Sequence, residues 1–205
     1  MEVNFLRKKY PRFIYEKYSY RISDKNLEIF FDFALRSSAK SERRRVFLDI
    51  KFQPEIIIEN VSPELVERVG DRALNNLIFH LGLMEIPSYW KATCSSVIEI
   101  KAGYLNKEQI KWWKDLMMNG MGQFFYENKI DFRKPNFLKI KPPTYQSDSN
   151  DKHIGLFSKK LPEKTLVPVG GGKDSAVTLE SLKEARKNIN CFSLNPTEAA
   201  EKIMK

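Results

Sequence analysis

Between Phe13 and Leu35 apolar residues fall on every second position, and Leu27, Ile29, Phe31, Phe33 and Leu35 share one face. That period is the one a strand half-buried against a core requires. Ser23-Asp24-Lys25-Asn26 supplies turn chemistry, so the segment reads as a β-hairpin. Arg36 to Arg45 is polar and basic and reads as a loop; Val46, Leu48, Ile50 and Phe52 then resume the alternation as a third strand. The period changes at Ser62-Pro63-Glu64, with Ser at a helix cap and Pro at the first helical position. Leu65, Val66, Val69, Ala73, Leu74, Leu77, Ile78 and Leu81 recur at helical spacing, and Gly82 is the expected end. Val97 to Lys101 alternates as a strand. Asn106 caps a second long helix through Ile110, Trp113, Met117, Met121 and Phe124, with Gly120 and Gly122 either bending it or admitting another backbone. Residues 1–138 therefore read as an α+β domain with a mostly antiparallel sheet and two long helices.

The character changes over residues 139–165, where Lys141-Pro142-Pro143 and Gln146-Ser147-Asp148-Ser149-Asn150-Asp151 read as a linker. Residues 166–205 then open a second pattern: an apolar strand from Leu166, Gly170-Gly171-Gly172, an amphipathic stretch from Ala176 to Asn188, a strand from Ile189 to Leu194, and a helix start at Thr197. This is the first βαβ of an α/β domain. Parallel strands need cover on both faces and several neighbours, so the expectation is an incomplete, C-terminally truncated domain; completion by another subunit is the alternative. On that expectation the chain alone leaves apolar surface open around Val167, Val169, Phe192 and Leu194, holds any ligand of this domain poorly and is inactive by itself.

The junction Val169-Gly170-Gly171-Gly172-Lys173-Asp174-Ser175 carries the chemistry. Strand, glycine loop and helix N-terminus together present backbone N–H groups and a helix dipole to an anion. Glycine lets the main chain approach phosphate oxygens and tolerates positive φ. Asp174 is acidic where phosphates would sit, which makes sense with Mg²⁺ between them. A Walker A loop fails, because Val167 stands where its first Gly belongs and Asp174 where its Ser/Thr belongs. A dinucleotide fingerprint fits Gly170 and Gly172 but meets Ser175 at the third Gly. A turn that binds nothing is the plain alternative.

Composition narrows the partners. Lys and Arg number 35 against 26 Asp and Glu, a formal charge of +9, which favours an anionic partner without choosing which. At 42% hydrophobic with 14 Phe, the chain affords an aromatic core. No apolar run reaches the ~18 residues of a membrane span, and no secretory signal pattern is visible. Two cysteines, Cys94 and Cys191, are too few for a disulfide scaffold and fit a reducing cytoplasm.

Gly171, Gly172, Asp174 and Ser175 match the Ser-Gly-Gly-x-Asp-Ser loop of the ATP pyrophosphatases (PP-loop, adenine nucleotide alpha hydrolase-like proteins), with Gly170 in place of the leading Ser. Together with Phe79-His80-Leu81-Gly82-Leu83-Met84-Glu85-Ile86-Pro87-Ser88-Tyr89-Trp90-Lys91-Ala92-Thr93-Cys94-Ser95 and the stretch Gly103 to Asn128, the chain resembles the ATP-dependent UDP-N-acetylmuramoyl-L-alanyl-L-glutamate epimerases, the MurL type. The resemblance runs from about Phe13 to the end and includes the triple glycine. It implies an isomerase of peptidoglycan precursor synthesis, using ATP and Mg²⁺ on a UDP-muramoyl dipeptide in the cytoplasm. A glutamate α-proton beside a carboxylate is a very weak acid. Adenylating that carboxylate removes the charge, and the developing enolate is then open to electrostatic stabilisation. Gly170, Gly171, Gly172, Lys173 and Ser175 are implied as the ATP and pyrophosphate site, with Asp174 near Mg²⁺.

The resemblance leaves the proton-transfer groups open. Cys94 and Lys91 are the catalytic candidates, and His80, Glu85, Tyr89 and Trp90 the substrate-binding ones. Each has a plain counterpart: a small buried hydrophobe for Cys94, a satisfied core histidine for His80, core packing for Trp90, Trp112 and Trp113, and a surface pair for Glu85 with Lys91. Two other functions compete: a tRNA-modifying ATP pyrophosphatase, and a non-catalytic recognition fragment. Against RNA, the basic residues are dispersed apart from Arg43-Arg44-Arg45, and no RNA-binding motif appears.

Overall fold

A computed structural model of the chain describes residues 3–38, 49–143 and 163–205. It divides into two compact units, residues 1–154 and 155–205. In the first, helix α1 (Val3–Lys9) leads into strands β1 (Arg12–Ser23) and β2 (Asn26–Arg36), which pair antiparallel along their full lengths. Asp24 and Lys25 join them with φ of 50° and 64°, the left-handed pair that a two-residue hairpin turn demands. β3 (Ile50–Phe52) and β4 (Glu55–Ile58) both pair antiparallel with β2. The expected third strand is therefore present from Ile50, while its Val46 and Leu48 lie outside the described residues.

On the other side of the hairpin, β5 (Val97–Ile100) runs parallel to β1, and β6 (Lys139–Lys141) runs parallel to β5. The order is β3-β2-β1-β5-β6 with β4 also on β2, a mixed sheet that remains mostly antiparallel. β6 belongs to this sheet, so Lys139–Lys141 is a strand rather than the start of the linker. The rest of the linker expectation, including Gln146 to Asp151, lies outside the described residues.

The helix expected from Ser62 to Gly82 is two helices. α2 (Pro63–Val69) starts at Ser62, whose Oγ accepts from the Leu65 N–H, and stops at Gly70, where φ is 79°. α3 (Asp71–Trp90) then runs eight residues beyond the expected end at Gly82, carrying Pro87 inside its last turn. Gly82 is there because α3 crosses the sheet at Tyr15: a Cβ at residue 82 would collide with the Tyr15 hydroxyl and the Phe31 ring. Pro87 costs one main-chain hydrogen bond near a helix end, which this helix tolerates.

Phe13, Tyr15, Leu27, Ile29, Phe31, Phe33 and Leu35 point from the hairpin into the core, where Leu74, Ile78, Phe79, Leu83, Ile86 and Trp90 of α3 meet them. Tyr15 stacks on Phe79 at 5.9 Å between ring centroids. α4 (Lys107–Gly120) opens with a reciprocal cap, Asn106 and Gln109 each bonding the other's backbone N–H at 2.9 Å. α5 (Gly122–Glu127) follows after a break at Met121. Nothing lies near a Cβ placed on Gly120 or Gly122, so these glycines bend the chain and admit no neighbour.

The second unit is a βαβα element. β7 (Thr165–Pro168) and β8 (Ile189–Phe192) pair in parallel, joined through α6 (Lys173–Glu184), and α7 (Glu198–Met204) closes the chain. Val167, Val169, Leu179 and Ala200 form its small core. The expected apolar exposure is thus half corrected. Val167 and Val169 alternate inward and are covered, whereas Leu166, Phe192 and Leu194 are exposed.

Candidate functional site

The glycine loop is built from both ends of the second unit. The end of β7 is fixed by the Val169 N–H donating to the Phe192 carbonyl at 2.9 Å and by the Ser193 hydroxyl donating to the Val169 carbonyl at 2.7 Å. The chain then turns through Gly171 with φ of 85°. A Cβ there would lie 2.7 Å from the Ala200 backbone nitrogen and 2.9 Å from Thr197 Oγ1, so residue 171 must be glycine on conformation and on space. Gly170 and Gly172 meet no such crowding and leave the main chain bare.

Gly172 sits at the N-cap of α6 with no side chain capping the helix. The Ser175 hydroxyl accepts instead from the Gly170 N–H at 3.2 Å, which closes the loop upon itself. Lys173 and Asp174 occupy the first turn and are exposed. Their N–H groups precede the first intrahelical acceptors, so the positive end of the helix is open to an anion. Asp174 is the loop's single carboxylate. Among the described residues no group of three His, Cys, Asp or Glu gathers to hold a metal. A single carboxylate at a helix start open to anions is a donor set that Mg²⁺ can use, its other ligands coming from phosphate and water.

Thr197 and Ala200 are the partners that sequence reasoning missed. Thr197 caps α7 with its side chain accepting from the Ala200 N–H at 3.2 Å, and the same two residues bound the space around Gly171. Two adjacent alanines at a helix start were the visible trace of this close approach.

The second group of candidates lies in the first unit on and after α3, and the structure disperses it. Trp90 is fully buried, edge-on to Phe125 and Phe137, and its indole N–H donates to the Ser95 carbonyl at 2.8 Å. It is core and offers no wall to a ligand. Trp113 is also buried, while Trp112 is exposed. Cys94 is 1% exposed, and its thiol donates to the Lys91 carbonyl at 3.7 Å. Burial pushes that thiol up to about 11, against a smaller opposing pull from the Arg7 guanidinium. Cys94 thus stands as a neutral buried thiol, and its backbone, at φ of 49°, hands its carbonyl to Arg7.

His80 lies mid-helix, not at a helix end, with Nδ1 2.8 Å from the Asn76 carbonyl and its ring near Trp113. Lys91 is exposed just past α3 and forms no pair with Glu85. Glu85 and Tyr89 stand one helical turn apart. Glu85 is half-buried without an ion-pair partner among the described residues, and desolvation raises its carboxyl above the usual range. Tyr89 packs on Phe33 and Phe52, and its hydroxyl is raised by burial first and by the Glu85 charge second.

The chain belongs to the family described as the MurL N-terminal domain, which matches residues 4–205 and so takes in both units and the glycine loop. Over 137 residues it is 28% identical to the UDP-N-acetyl-alpha-D-muramoyl-L-alanyl-L-glutamate epimerase of Xanthomonas oryzae pv. oryzae, covering 60% of this chain and 28% of that protein. The chain therefore spans less than a third of that relative's length. No solved structure matches. Among the described residues no helix is long and apolar enough to cross a membrane.

Proposed function

We propose that this chain is the N-terminal part of an ATP-dependent epimerase that inverts the terminal L-glutamate of UDP-N-acetylmuramoyl-L-alanyl-L-glutamate, in peptidoglycan precursor synthesis. The observation that carries the reading is the loop at Gly170–Ser175: bare main chain, a left-handed Gly171 wedged against α7, and an uncapped helix start, inside a family match to MurL. Within the ATP-pyrophosphatase class the loop holds the pyrophosphate portion of ATP. The N–H groups of α6's first turn and the Lys173 ammonium would meet the leaving pyrophosphate, and Asp174 would help hold Mg²⁺, which supplies charge neutralisation there. Splitting ATP to AMP and pyrophosphate converts the substrate's carboxylate into an uncharged acyl-adenylate, whose α-proton is then acidic enough to exchange. Water finally releases AMP and the D-glutamyl product.

The test combines the chain with the remaining C-terminal part of a family member, the muramoyl dipeptide, ATP and Mg²⁺. Formation of UDP-N-acetylmuramoyl-L-alanyl-D-glutamate with AMP and pyrophosphate is expected, and Asp174→Ala should stop AMP release while leaving both units folded. Unchanged AMP release from that variant contradicts the assignment of the loop.

A further inference from the structure

A second place in the molecule has the chemistry of an anion site. In the first unit a cleft of about 540 Å³ opens between α1 and residues 128–137. That volume lies within the roughly 300–1,000 Å³ typical of small-molecule sites. Arg7, Lys129 and Lys134 line it against one acid, Asp131, and the amides of Asn4 and Asn136 add neutral donors. Asp131 is engaged by Arg133, which is not part of the lining, at 3.5 Å. Neither Lys129 nor Lys134 has an ion-pair partner among the described residues.

Arg7 is held in place before any ligand arrives. Its guanidinium donates to the Cys94 carbonyl and, at 2.7 Å, to the Phe137 carbonyl, and lies 4.1 Å from the centre of the Phe137 ring. A guanidinium has five N–H donors, so donors remain for the cleft, and little side-chain freedom is left to lose on binding. Lys129 lies two residues past the end of α5 with φ of 54°, and Asn136 sits at φ of 60°.

We propose that this cleft binds the diphosphate group of a nucleotide-type ligand, Arg7 forming the fixed fork on one phosphate and Lys129 and Lys134 closing on the other. The charges match: three cations against one acid leave a net of two positive charges, and a diphosphate esterified at both ends carries one negative charge on each phosphorus. A lone carboxylate would leave part of that charge unanswered. The identity of the ligand as a nucleotide sugar rests on the epimerase reading above; the diphosphate chemistry of the cleft rests on its own residues.

The experiment is calorimetric titration of the whole chain with UDP and with uridine at low salt. UDP should bind at least tenfold tighter than uridine, and its affinity should fall steeply as salt rises. The double variant Lys129→Met/Lys134→Met, altering two exposed side chains, should weaken UDP roughly tenfold or more with an unchanged circular dichroism spectrum. Equal affinity for UDP and uridine, or undiminished UDP affinity in the double variant, overturns the proposal. Loss of UDP binding in Lys173→Ala instead places the ligand at the glycine loop and overturns it equally. A failed epimerase reading looks different: no D-glutamyl product forms, while UDP binding and its dependence on the two lysines persist.

Discussion

The Tyr15 hydroxyl occupies the space that any side chain at residue 82 would need, and it does so with no hydrogen-bond partner among the described residues. Two residues far apart in sequence thereby set how closely α3 lies on the hairpin. Gly82→Ala forces a methyl into that contact and should destabilise the protein by about 1–3 kcal/mol, as overpacked cores do. Tyr15→Phe removes a buried, unsatisfied hydroxyl and should leave stability equal or raise it by about 1 kcal/mol. In the double variant the methyl should cost less than it does alone, because the ring and Phe31 still crowd it but the hydroxyl is gone. Urea unfolding of the four proteins measures this; strict additivity would show that the hydroxyl is not what bars residue 82.

The two cysteines should separate cleanly by reactivity. Cys191 is exposed and Cys94 buried, so a thiol reagent at neutral pH should modify one thiol quickly and the other only on unfolding. The folded state holds the Cys94 proton up to about 11, above the ordinary thiol value. Its raised value contributes stability that is complete below the ordinary thiol pKa and is lost as pH rises toward 11. Cys94→Ala should flatten that alkaline loss in stability measured across pH.

Glu85 has the same sign at lower pH. Its carboxyl is raised by desolvation, so charging it in the folded state opposes folding as pH climbs above the ordinary carboxylate range. Glu85→Gln should be the more stable protein at neutral pH, with the difference vanishing in acid where the native carboxyl is protonated in both states. A gap that persists unchanged into acid would mean that the amide is stabilising for a reason other than charge.

Residue 171 gives the loop its own test. Gly171→Ala meets both a left-handed backbone and the Ala200 nitrogen, so it should destabilise the second unit by about 1–2 kcal/mol from the backbone alone. Gly170→Ala, with open space around it, should be much milder. Hydrogen exchange of the amides in β7 and α7 reads the difference.

Much of the fold was legible because local signals agreed with the tertiary demand. Leu27 to Leu35 alternate without interruption, Asp24-Lys25 favour the turn, and Asn106 forms the expected cap, to which Gln109 adds the reciprocal bond. Two of the misreadings share a physical cause, that glycine carries a different meaning in contact and in isolation. Gly82 looked like a stop and is a contact with Tyr15, whereas Gly70, inside what read as one helix, is the real break. β6 was missed because a three-residue strand running straight into Pro142 and Pro143 shows no period of its own. At the site, the loop was visible in Gly170–Ser175, but Thr197 and Ala200 were not, since only folding brings α7 to Gly171. The α3 candidates looked alike as a run of reactive side chains; burial sorts Trp90 and Cys94 inward and leaves Glu85 and Tyr89 half-exposed.

The central claim is that Gly170–Ser175 holds phosphate. Backbone amide NMR of the chain, titrated with Mg²⁺ and ATP and then with pyrophosphate, tests it most directly. Binding should be weak, about millimolar. The largest shifts should fall on the amides of Gly171, Gly172, Lys173 and Asp174, and should shrink in Lys173→Ala as one charge-assisted contact is lost. Loop amides that stay unmoved through the titration, with shifts elsewhere or none, would contradict the account.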